Sequence, residues 1–484
     1  MNPLSIAILL VLAWPAGNLK AENAPRIDDL QHGGRAPVFE NGQTVCFLGD
    51  SITQGALYQT VIEYFYATRY PDREVTFWNC GIAGDTAQSI MSMESYRLSI
   101  DVLGHGPAVV AIMLGMNDVN RGLYTPISKD KPEGRMEARE VALHRYRENM
   151  RLIFDKVQSS GAELILMTPT IYEENPAVAG DSGEICKGVN GALGTCAEWL
   201  RSEAERRKAG LVDFHGLLGA INAREQAADG GVSLLKLGRT SGLDRVHPFM
   251  PCHWIMAAIF LKAQGHSSVL SRIEIDANSA AVLTGSRALV EGVKATPDGL
   301  SFEVTSEAIP FVVSDNGKSA LDVFPILEEL GQEILCVKNL LPGHYELRID
   351  NVAVGAFSHA ELGSGINLGC NSKTPQYQQS MKVYQLAVKR ASYCGKIRNA
   401  VAARYAAAKY QKLDPLNNAL VGKTILDKIE QAKAKGADFS SSEATLDAVQ
   451  NQAALEAEYQ ALGVQMRAAA APCKRHYILT KSQQ

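Results

Sequence analysis

Near the N-terminus, an apolar run stops at a polar, hydroxyl-bearing turn in the stretch Val45-Cys46-Phe47-Leu48-Gly49-Asp50-Ser51-Ile52-Thr53. Val45–Leu48 has the length and composition of a buried strand, and Gly49 relieves the steric limits where that strand must turn. Asp50 and Ser51 would then lie before a helix that runs from about Tyr58 to Tyr66. Because ligands bind beyond the carboxyl ends of strands in open α/β sheets, and helix N-termini favour negative charge, Ser51 is a candidate nucleophile. The alternative is that Asp50 and Ser51 only cap the helix.

The first half of the chain alternates short apolar runs with longer amphipathic patterns as far as about Gly265. This alternation is typical of an α/β fold in which helices cover both faces of a parallel sheet. The strand candidates are Val45–Leu48, Val75–Trp78, Val109–Leu114, Leu164–Thr168 and Leu211–Asp213. In a doubly wound sheet these strands all open at one edge, where Ser51 is expected.

Two further stretches follow the second and third predicted strands. Gly84 lies in Gly81-Ile82-Ala83-Gly84-Asp85-Thr86, and Asn117 lies in Gly115-Met116-Asn117-Asp118. A glycine lets a backbone N–H approach a ligand closely, and an Asn side chain can direct a neutral N–H into the same space. Taken singly, each residue is equally explained as an ordinary turn residue.

The last stretch, Asp244-Arg245-Val246-His247-Pro248, stands late in the same region. A His three residues after a carboxylate can be oriented by it, although such a pair alone is also a common surface feature. Together with Ser51, Gly84 and Asn117, the pair completes the parts needed for acyl transfer. These parts are a hydroxyl nucleophile, a base, a carboxylate that orients the base, and N–H donors for the oxyanion.

These four stretches resemble, in order, the four sequence blocks of the SGNH/GDSL hydrolase family. The resemblance covers residues 36–265 and implies a flavodoxin-like three-layer parallel sheet that hydrolyses esters without a metal or organic cofactor. By position, Ser51 matches the nucleophile, His247 the base and Asp244 its orienting partner. The oxyanion donors would be the backbone N–H groups of Ser51 and Gly84 and the side chain of Asn117.

Two residues depart from the family pattern. Thr53 replaces the leucine of the family name, as in the subgroup that resembles carbohydrate esterases and lysophospholipases. Met116 stands where a small residue is frequent, and we expect it to change the shape of the acyl pocket. Neither departure removes a catalytic group.

After Ser268 the pattern changes to short strands separated by turn signals, which predicts a small antiparallel β domain over residues 268–370. Its strand candidates are Leu270–Ile275, Leu289–Lys294, Leu300–Val304, Ile334–Val337 and His344–Ile349. Residues 374–470 then predict a helical hairpin, with one helix ending before Asp414 and a second beginning near Ser440. Its apolar stripe either packs on the preceding domains or serves as a partner-binding arm. The region from Ser268 onward resembles the C-terminal extensions of some large secreted bacterial family members.

The 484 residues are 46% hydrophobic and 21% charged, which is the composition of a soluble globular protein. A net charge of −4 leaves no excess of positive charge for a nucleic-acid backbone, so nucleic acid is not an expected partner. The nine cysteines show no Cys-x-x-Cys spacing and do not indicate a structural metal. Cys186 with Cys196, and less strongly Cys370 with Cys394, are candidate disulfides.

The apolar run Leu4–Ala16 is too short to cross a bilayer comfortably and predicts a signal peptide over residues 1–21. We therefore expect a secreted or periplasmic protein, and the alternative is an uncleaved N-terminal anchor. The function predicted is a serine ester hydrolase that removes O-acetyl or other short acyl groups from glycans or small-molecule esters. The alternatives are a lysophospholipase or short-chain lipase, and a non-catalytic glycan-binding scaffold.

Overall fold

The computed structural model describes residues 35–125, 132–178, 185–228, 233–237 and 244–482, so the predicted signal peptide or anchor lies outside the described residues. The first part of the described chain forms a five-stranded parallel sheet in the order β2-β1-β3-β4-β5. Its strands are β1 (Thr44–Gly49), β2 (Thr76–Gly81), β3 (Val109–Met113), β4 (Glu163–Met167) and β5 (Gly210–Val212). The five predicted strands are confirmed, with ends that differ by a few residues.

Alternate residues of β1 face two separate hydrophobic cores, and this gives the fold its three layers. Val45 and Phe47 pack with α2, α7 and α8, whereas Cys46 and Leu48 pack with α3, α5 and α6. The helices of this part are α1 (Ser51–Gln54), α2 (Leu57–Arg69), α3 (Ala87–Ser92), α4 (Glu94–Arg97), α5 (Pro132–Ser159), α6 (Val189–Arg207), α7 (Phe214–Ala228) and α8 (Met250–Ala263). The predicted flavodoxin-like α/β fold is confirmed.

Two sheets follow in the second part of the chain. One has the order β13-β10-β6-β7 and the other β12-β11-β14-β9-β8. Neighbouring strands run antiparallel, except that β10 pairs with β6 in parallel. The strands are β6 (Val269–Asp276), β7 (Ala281–Ser286), β8 (Ala288–Thr296), β9 (Gly299–Ser306), β10 (Gln332–Lys338), β11 (His344–Ile349), β12 (Val352–Ser358), β13 (Ile366–Asn367) and β14 (Arg475–Lys481). Two short helices, α9 (Ile326–Leu330) and α10 (His359–Ser364), lie among them.

A helical region occupies residues 375–470, with four helices where the sequence predicted two. They are α11 (Pro375–Gln411), α12 (Asn418–Ala434), α13 (Ser440–Gln450) and α14 (Gln452–Ala470). Helix α11 begins with Pro375, whose missing N–H costs nothing in the first turn, and the Thr374 side chain accepts a hydrogen bond from the N–H of Tyr377.

Helix α11 packs directly on the α/β part. Ile397 and Val401 share a buried cluster with Ile82 and Tyr96, and Val383 joins the core that also contains α2 and α8. The stripe of α11 is therefore buried against the preceding structure rather than presented as a free arm. After α14, strand β14 returns to the second part and inserts between β9 and β11.

The two predicted disulfides are wrong for this structure. Cys186, Cys196 and Cys394 are buried thiols and Cys370 is an exposed thiol. Three of these side chains are packed in apolar surroundings, which suit cysteine as a small hydrophobic residue. Among the described helices, none has both the length and the apolar character that crossing a membrane requires.

Candidate active site

The structure brings Ser51, His247 and Asp244 into one hydrogen-bonded row. Ser51 Oγ lies 2.7 Å from His247 Nε2, and His247 Nδ1 is in hydrogen-bond contact with Asp244 Oδ2. With Nδ1 protonated toward the carboxylate, Nε2 is free to accept the hydroxyl proton of Ser51. This row has the connectivity that an activated serine nucleophile requires.

The electrostatics of the row follow from these contacts. Hydrogen bonding to the Asp244 carboxylate raises the pKa of His247, against the opposing effect of its partial burial. Burial alone would raise the pKa of Asp244, but hydrogen bonds from His247 and from the N–H of Val246 outweigh it and lower the pKa. Asp244 therefore stays ionised, and its charge favours the imidazolium that forms when His247 takes a proton.

The turn that holds Asp244 and His247 is fixed by its own backbone and by Arg245. Asp244 Oδ1 accepts hydrogen bonds from the N–H groups of Val246 and His247, at 3.0 and 2.8 Å. Arg245 has a left-handed φ of 69° and is buried, and its guanidinium donates to the carbonyl oxygens of Glu173 and Val178 at 3.2 and 3.0 Å. The sequence assigned no role to Arg245, because nothing in its local sequence reveals these partners.

Ser51 is the first residue of the four-residue helix α1, and Asp50 is its N-cap. The Asp50 carboxylate accepts a hydrogen bond from the Ile52 N–H at 3.0 Å and so caps α1, whereas the helix predicted after it, α2, has Ala56 as its N-cap. A Cβ at Gly81 would lie 2.3 Å from the backbone N of Gln54, so the end of β2 can approach α1 this closely only with glycine. The position of Ser51 thus depends on close backbone packing between β1, α1 and β2.

The two other predicted oxyanion residues lie beside this position. Gly84 has a left-handed φ of 79°, which favours glycine. Asn117 Nδ2 donates to the carbonyl oxygen of Asp85 at 3.1 Å and makes a long contact of 3.4 Å with Asp50 Oδ2. The first bond fixes the orientation of the Asn117 amide. The second is too long to hold its other N–H firmly.

Two buried carboxyl groups, those of Asp50 and Asp118, directly precede Ser51 and follow Asn117 in the chain. Burial raises the pKa of Asp50 to about 6 and that of Asp118 to about 7. Asp118 Oδ1 accepts a hydrogen bond from the Ala87 N–H at 2.8 Å, which ties the turn after β3 to the start of α3. These carboxyls therefore join the loops that carry Ser51, Gly84 and Asn117 into one unit.

The two residues that depart from the family pattern are both buried. Thr53 packs under the turn, with its Oγ1 3.2 Å from the hydroxyl of Tyr58. Met116 belongs to the hydrophobic core on the α5 and α6 face of the sheet. Its side chain is thus a core residue in this structure.

A buried ionic network behind the site was not predicted. Arg97 pairs with Asp85 and Asp101, and Arg398 of α11 also pairs with Asp101. Burial opposes the charged form of Asp101, but Arg398 and Arg97 outweigh it and lower its pKa. The spacing of Arg97 and Asp101 by four residues was the only signal in the sequence, and it does not indicate Arg398.

One group of described residues has the geometry of a possible metal site: Cys80, Asp101 and His105. Both carboxylate oxygens of Asp101 already accept hydrogen bonds from guanidinium groups. The positive charges of Arg97 and Arg398 at this position oppose the binding of a cation.

Comparisons with known proteins find likenesses to ester hydrolases. The model of the GDSL-like lipase/acylhydrolase family matches residues 47–249. An acetylxylan esterase from Geobacillus stearothermophilus is 27% identical over 247 residues, which are 48% of this chain and 98% of that protein. A solved structure described as a gut microbial diltiazem-metabolizing enzyme is 25% identical and aligns over 93% of this chain and 100% of that one, with a TM-score of 0.81.

The likeness to the diltiazem-metabolizing enzyme extends through the β sheets and the helical region, so the C-terminal architecture is shared with a solved enzyme. The family match contains Ser51, Gly84, Asn117, Asp244 and His247. Residues 47–249 thus form a GDSL-like lipase/acylhydrolase domain of the SGNH/GDSL type, and the chain is a carboxylic ester hydrolase.

Proposed function

We propose that the chain is an exported serine esterase in which Ser51 is the nucleophile, His247 the base and Asp244 the residue that orients it. The observation that carries this proposal is the hydrogen-bonded row with Ser51 Oγ 2.7 Å from His247 Nε2. The export is inferred from the apolar leader Leu4–Ala16.

In the proposed reaction, His247 Nε2 takes the hydroxyl proton as Ser51 Oγ attacks the ester carbonyl carbon. The N–H groups of Ser51, Gly84 and Asn117 stabilise the oxyanion of the tetrahedral intermediate. His247 then gives its proton to the departing alcohol, which leaves an acyl group on Ser51. A water molecule, deprotonated by His247, hydrolyses this acyl-enzyme and regenerates the free serine.

We propose O-acetyl groups on glycans as the substrate class. The acetylxylan esterase that aligns over 98% of its own length supports a short acyl group on a sugar hydroxyl. The diltiazem-metabolizing enzyme, which shares the architecture of the whole chain, favours a second candidate, a small-molecule ester.

The nucleophile assignment is tested by labelling with a fluorophosphonate and by hydrolysis of p-nitrophenyl acetate. Wild-type protein should be labelled and active, and Ser51→Ala should be unlabelled with a kcat lower by about 10⁶-fold. Equal labelling of Ser51→Ala and wild type would exclude Ser51 as the nucleophile.

The substrate class is tested with a series of esters. Acetate release from acetylated xylo-oligosaccharides is compared with turnover of diltiazem and of p-nitrophenyl esters of increasing acyl length, each with Ser51→Ala as the blank. The highest kcat/KM on the oligosaccharides supports the glycan proposal, and the highest value on diltiazem supports the small-molecule candidate. A rate that rises with acyl length contradicts both and indicates a lipase or lysophospholipase.

A further inference from the structure

We propose that Arg398 of helix α11 is a positioning residue for the oxyanion loop, which we define as residues 81–85. Through Arg398, the C-terminal helical region would contribute to the geometry of the active site. This inference rests on the proposed function, because it concerns the donors Gly84 and Asn117. It assigns a role to a segment far outside residues 47–249, to which the family model is confined.

Arg398 contacts the start of the oxyanion loop directly. Its Nε donates to the carbonyl oxygen of Gly81 at 3.1 Å. Its two terminal nitrogens donate to Asp101, with Nη1 2.6 Å from Oδ1 and Nη2 2.9 Å from Oδ2. A bidentate pair of this kind fixes the plane of the guanidinium, and therefore the direction of the Nε–H toward Gly81.

The same carboxylate reaches the other end of the loop through Arg97. Arg97 pairs with Asp101 and donates from Nε and Nη2 to Asp85 Oδ2, at 2.9 and 2.7 Å. The backbone carbonyl of Asp85 in turn accepts the hydrogen bond from Asn117 Nδ2. Arg398 thus holds the oxyanion loop at Gly81 and Arg97 holds it at Asp85, and Gly84 lies between these two positions.

Burial makes these contacts directional and strong. The side chains of Arg97, Asp85, Asp101 and Arg398 are all at most 4% exposed. In such a low-dielectric environment a charge that loses its partner is costly, so the network tolerates few alternative arrangements. Ile397, next to Arg398 in the chain, and Val401, one helical turn later, belong to the buried cluster that contains Ile82 of the loop.

Two other buried arginines of α11 provide matched controls. Arg390 pairs with Glu63 of α2 and donates to the carbonyl oxygen of Tyr459 at 2.9 Å. Arg404 donates to Gln452 and to the carbonyl oxygens of Pro415 and Val449, all within the helical region. Neither makes a hydrogen bond to the oxyanion loop, so each reports the cost of losing a buried arginine from the same helix.

The test compares Arg398→Ala with Arg390→Ala and Arg404→Ala in the full-length protein, using p-nitrophenyl acetate at a temperature at which all are folded. For Arg398→Ala we expect kcat to fall about tenfold to hundredfold with KM within about threefold, because misplaced donors are lost in the transition state rather than in substrate binding. For both controls we expect kcat within about twofold of wild type.

Rescue by guanidinium ion separates positioning from general damage. Arg398 lines a cavity of about 430 Å³ together with Asp101, His105 and Arg404, which gives a small cation access to the vacated position. Millimolar guanidinium should raise the kcat of Arg398→Ala and leave both controls unchanged. A kcat for Arg398→Ala equal to that of the controls, or a loss that guanidinium does not reverse, would overturn the proposal.

Should Arg398→Ala fail to fold, Arg398→Lys carries the same test. Lysine keeps the charge beside Asp101 but has no planar fork to serve Asp101 and Gly81 together, so kcat should still fall at unchanged KM. An unchanged kcat in Arg398→Lys overturns the inference alone, provided that wild type hydrolyses the ester in a Ser51-dependent manner. Absence of Ser51-dependent hydrolysis in wild type refutes the proposed function itself, and the inference with it.

Discussion

The Asp244–His247 turn and the ionic network behind the oxyanion loop differ in exposure and in sequence separation. The side chains of Asp244 and His247 are both 46% exposed, and the two residues lie three positions apart. The side chains of the ionic network are at most 4% exposed, and two of them, Asp101 and Arg398, lie 297 positions apart. His247 of the first region contacts Ser51, and the second region contacts the loop that carries Gly84. In the first, a carboxylate orients its histidine through hydrogen bonds made within one turn. In the second, Arg398 of a separate helical region holds the loop at Gly81, and Arg97 of the α/β part holds it at Asp85.

This difference separates the chemistry from its support. An exposed local pair contributes little to folding, because solvent screens its charges and competes for its hydrogen bonds. A buried network links the geometry of the loop to the packing of α11 on the α/β part. We therefore expect changes at the Asp244–His247 turn to affect the rate alone, and changes in the network to affect the rate and stability together.

Among the three changes that compare the two regions, Asp244→Ala should have the largest effect. Loss of the orienting carboxylate should lower kcat about 10⁴-fold, about 5 kcal/mol in the barrier, yet leave residual activity. The free energy of unfolding should change by only about 1 kcal/mol, because the hydrogen bonds lost are exposed. Kinetics on p-nitrophenyl acetate and urea denaturation measure the two quantities. A large loss of stability in Asp244→Ala would contradict the expectation that the exposed turn affects the rate alone.

The same variant makes a prediction about pH. The base must be neutral to accept the Ser51 proton, so activity falls as the pH drops through the pKa of His247. Asp244 raises that pKa, so the acid limb of kcat/KM in wild type should lie above the usual histidine value near 6.5. In Asp244→Ala the limb should move to lower pH, and an unmoved limb would show that Asp244 does not act on the base.

Asp101→Ala should have the next largest effect, and on stability. It leaves Arg97 and Arg398 buried without the carboxylate that both share, which costs about 3–5 kcal/mol for a buried pair of this kind. Urea denaturation followed by tryptophan fluorescence measures the loss, with Asp244→Ala as the exposed control. Equal free energies of unfolding for Asp101→Ala and Asp244→Ala would show that the buried network contributes no more to stability than the exposed turn.

Asn117→Ala should have the smallest effect of the three. Removal of one oxyanion donor typically costs about 2.7–4 kcal/mol of transition-state stabilisation, so kcat should fall about 10²–10³-fold at similar KM. Comparison of kcat and KM with wild type on one ester is sufficient. A loss of less than about tenfold would mean that the Asn117 amide, already bonded to Asp85, does not reach the oxyanion.

The sequence predicted the α/β sheet and the residues at its carboxyl edge because both rest on local signals. Apolar runs marked β1 to β5, and the turns that follow the first three of them contained Ser51, Gly84 and Asn117. The short helix α1 was not separated from α2, since four residues carry no helical period.

Local sequence patterns could not predict contacts between residues that are far apart in the chain. Arg398 stands next to Ile397 in an amphipathic helix, where an arginine is ordinarily a solvent-facing residue. Strand β14 is seven residues long and finds its partners about 130 and 175 positions earlier in the chain, so no local pattern indicates where it pairs. Arg245 likewise binds carbonyl groups about 70 residues away.

The place of β14 also has a consequence for biosynthesis. Because β14 lies between β9 and β11, its sheet has a vacant central position until Arg475–Lys481 has been made. The exposed edges of β9 and β11 are ready templates for unwanted strand pairing during that interval. Folding of this sheet must therefore wait for the last strand, and a ribosome stalled after α14 would hold an α/β domain beside an unfinished, aggregation-prone sheet.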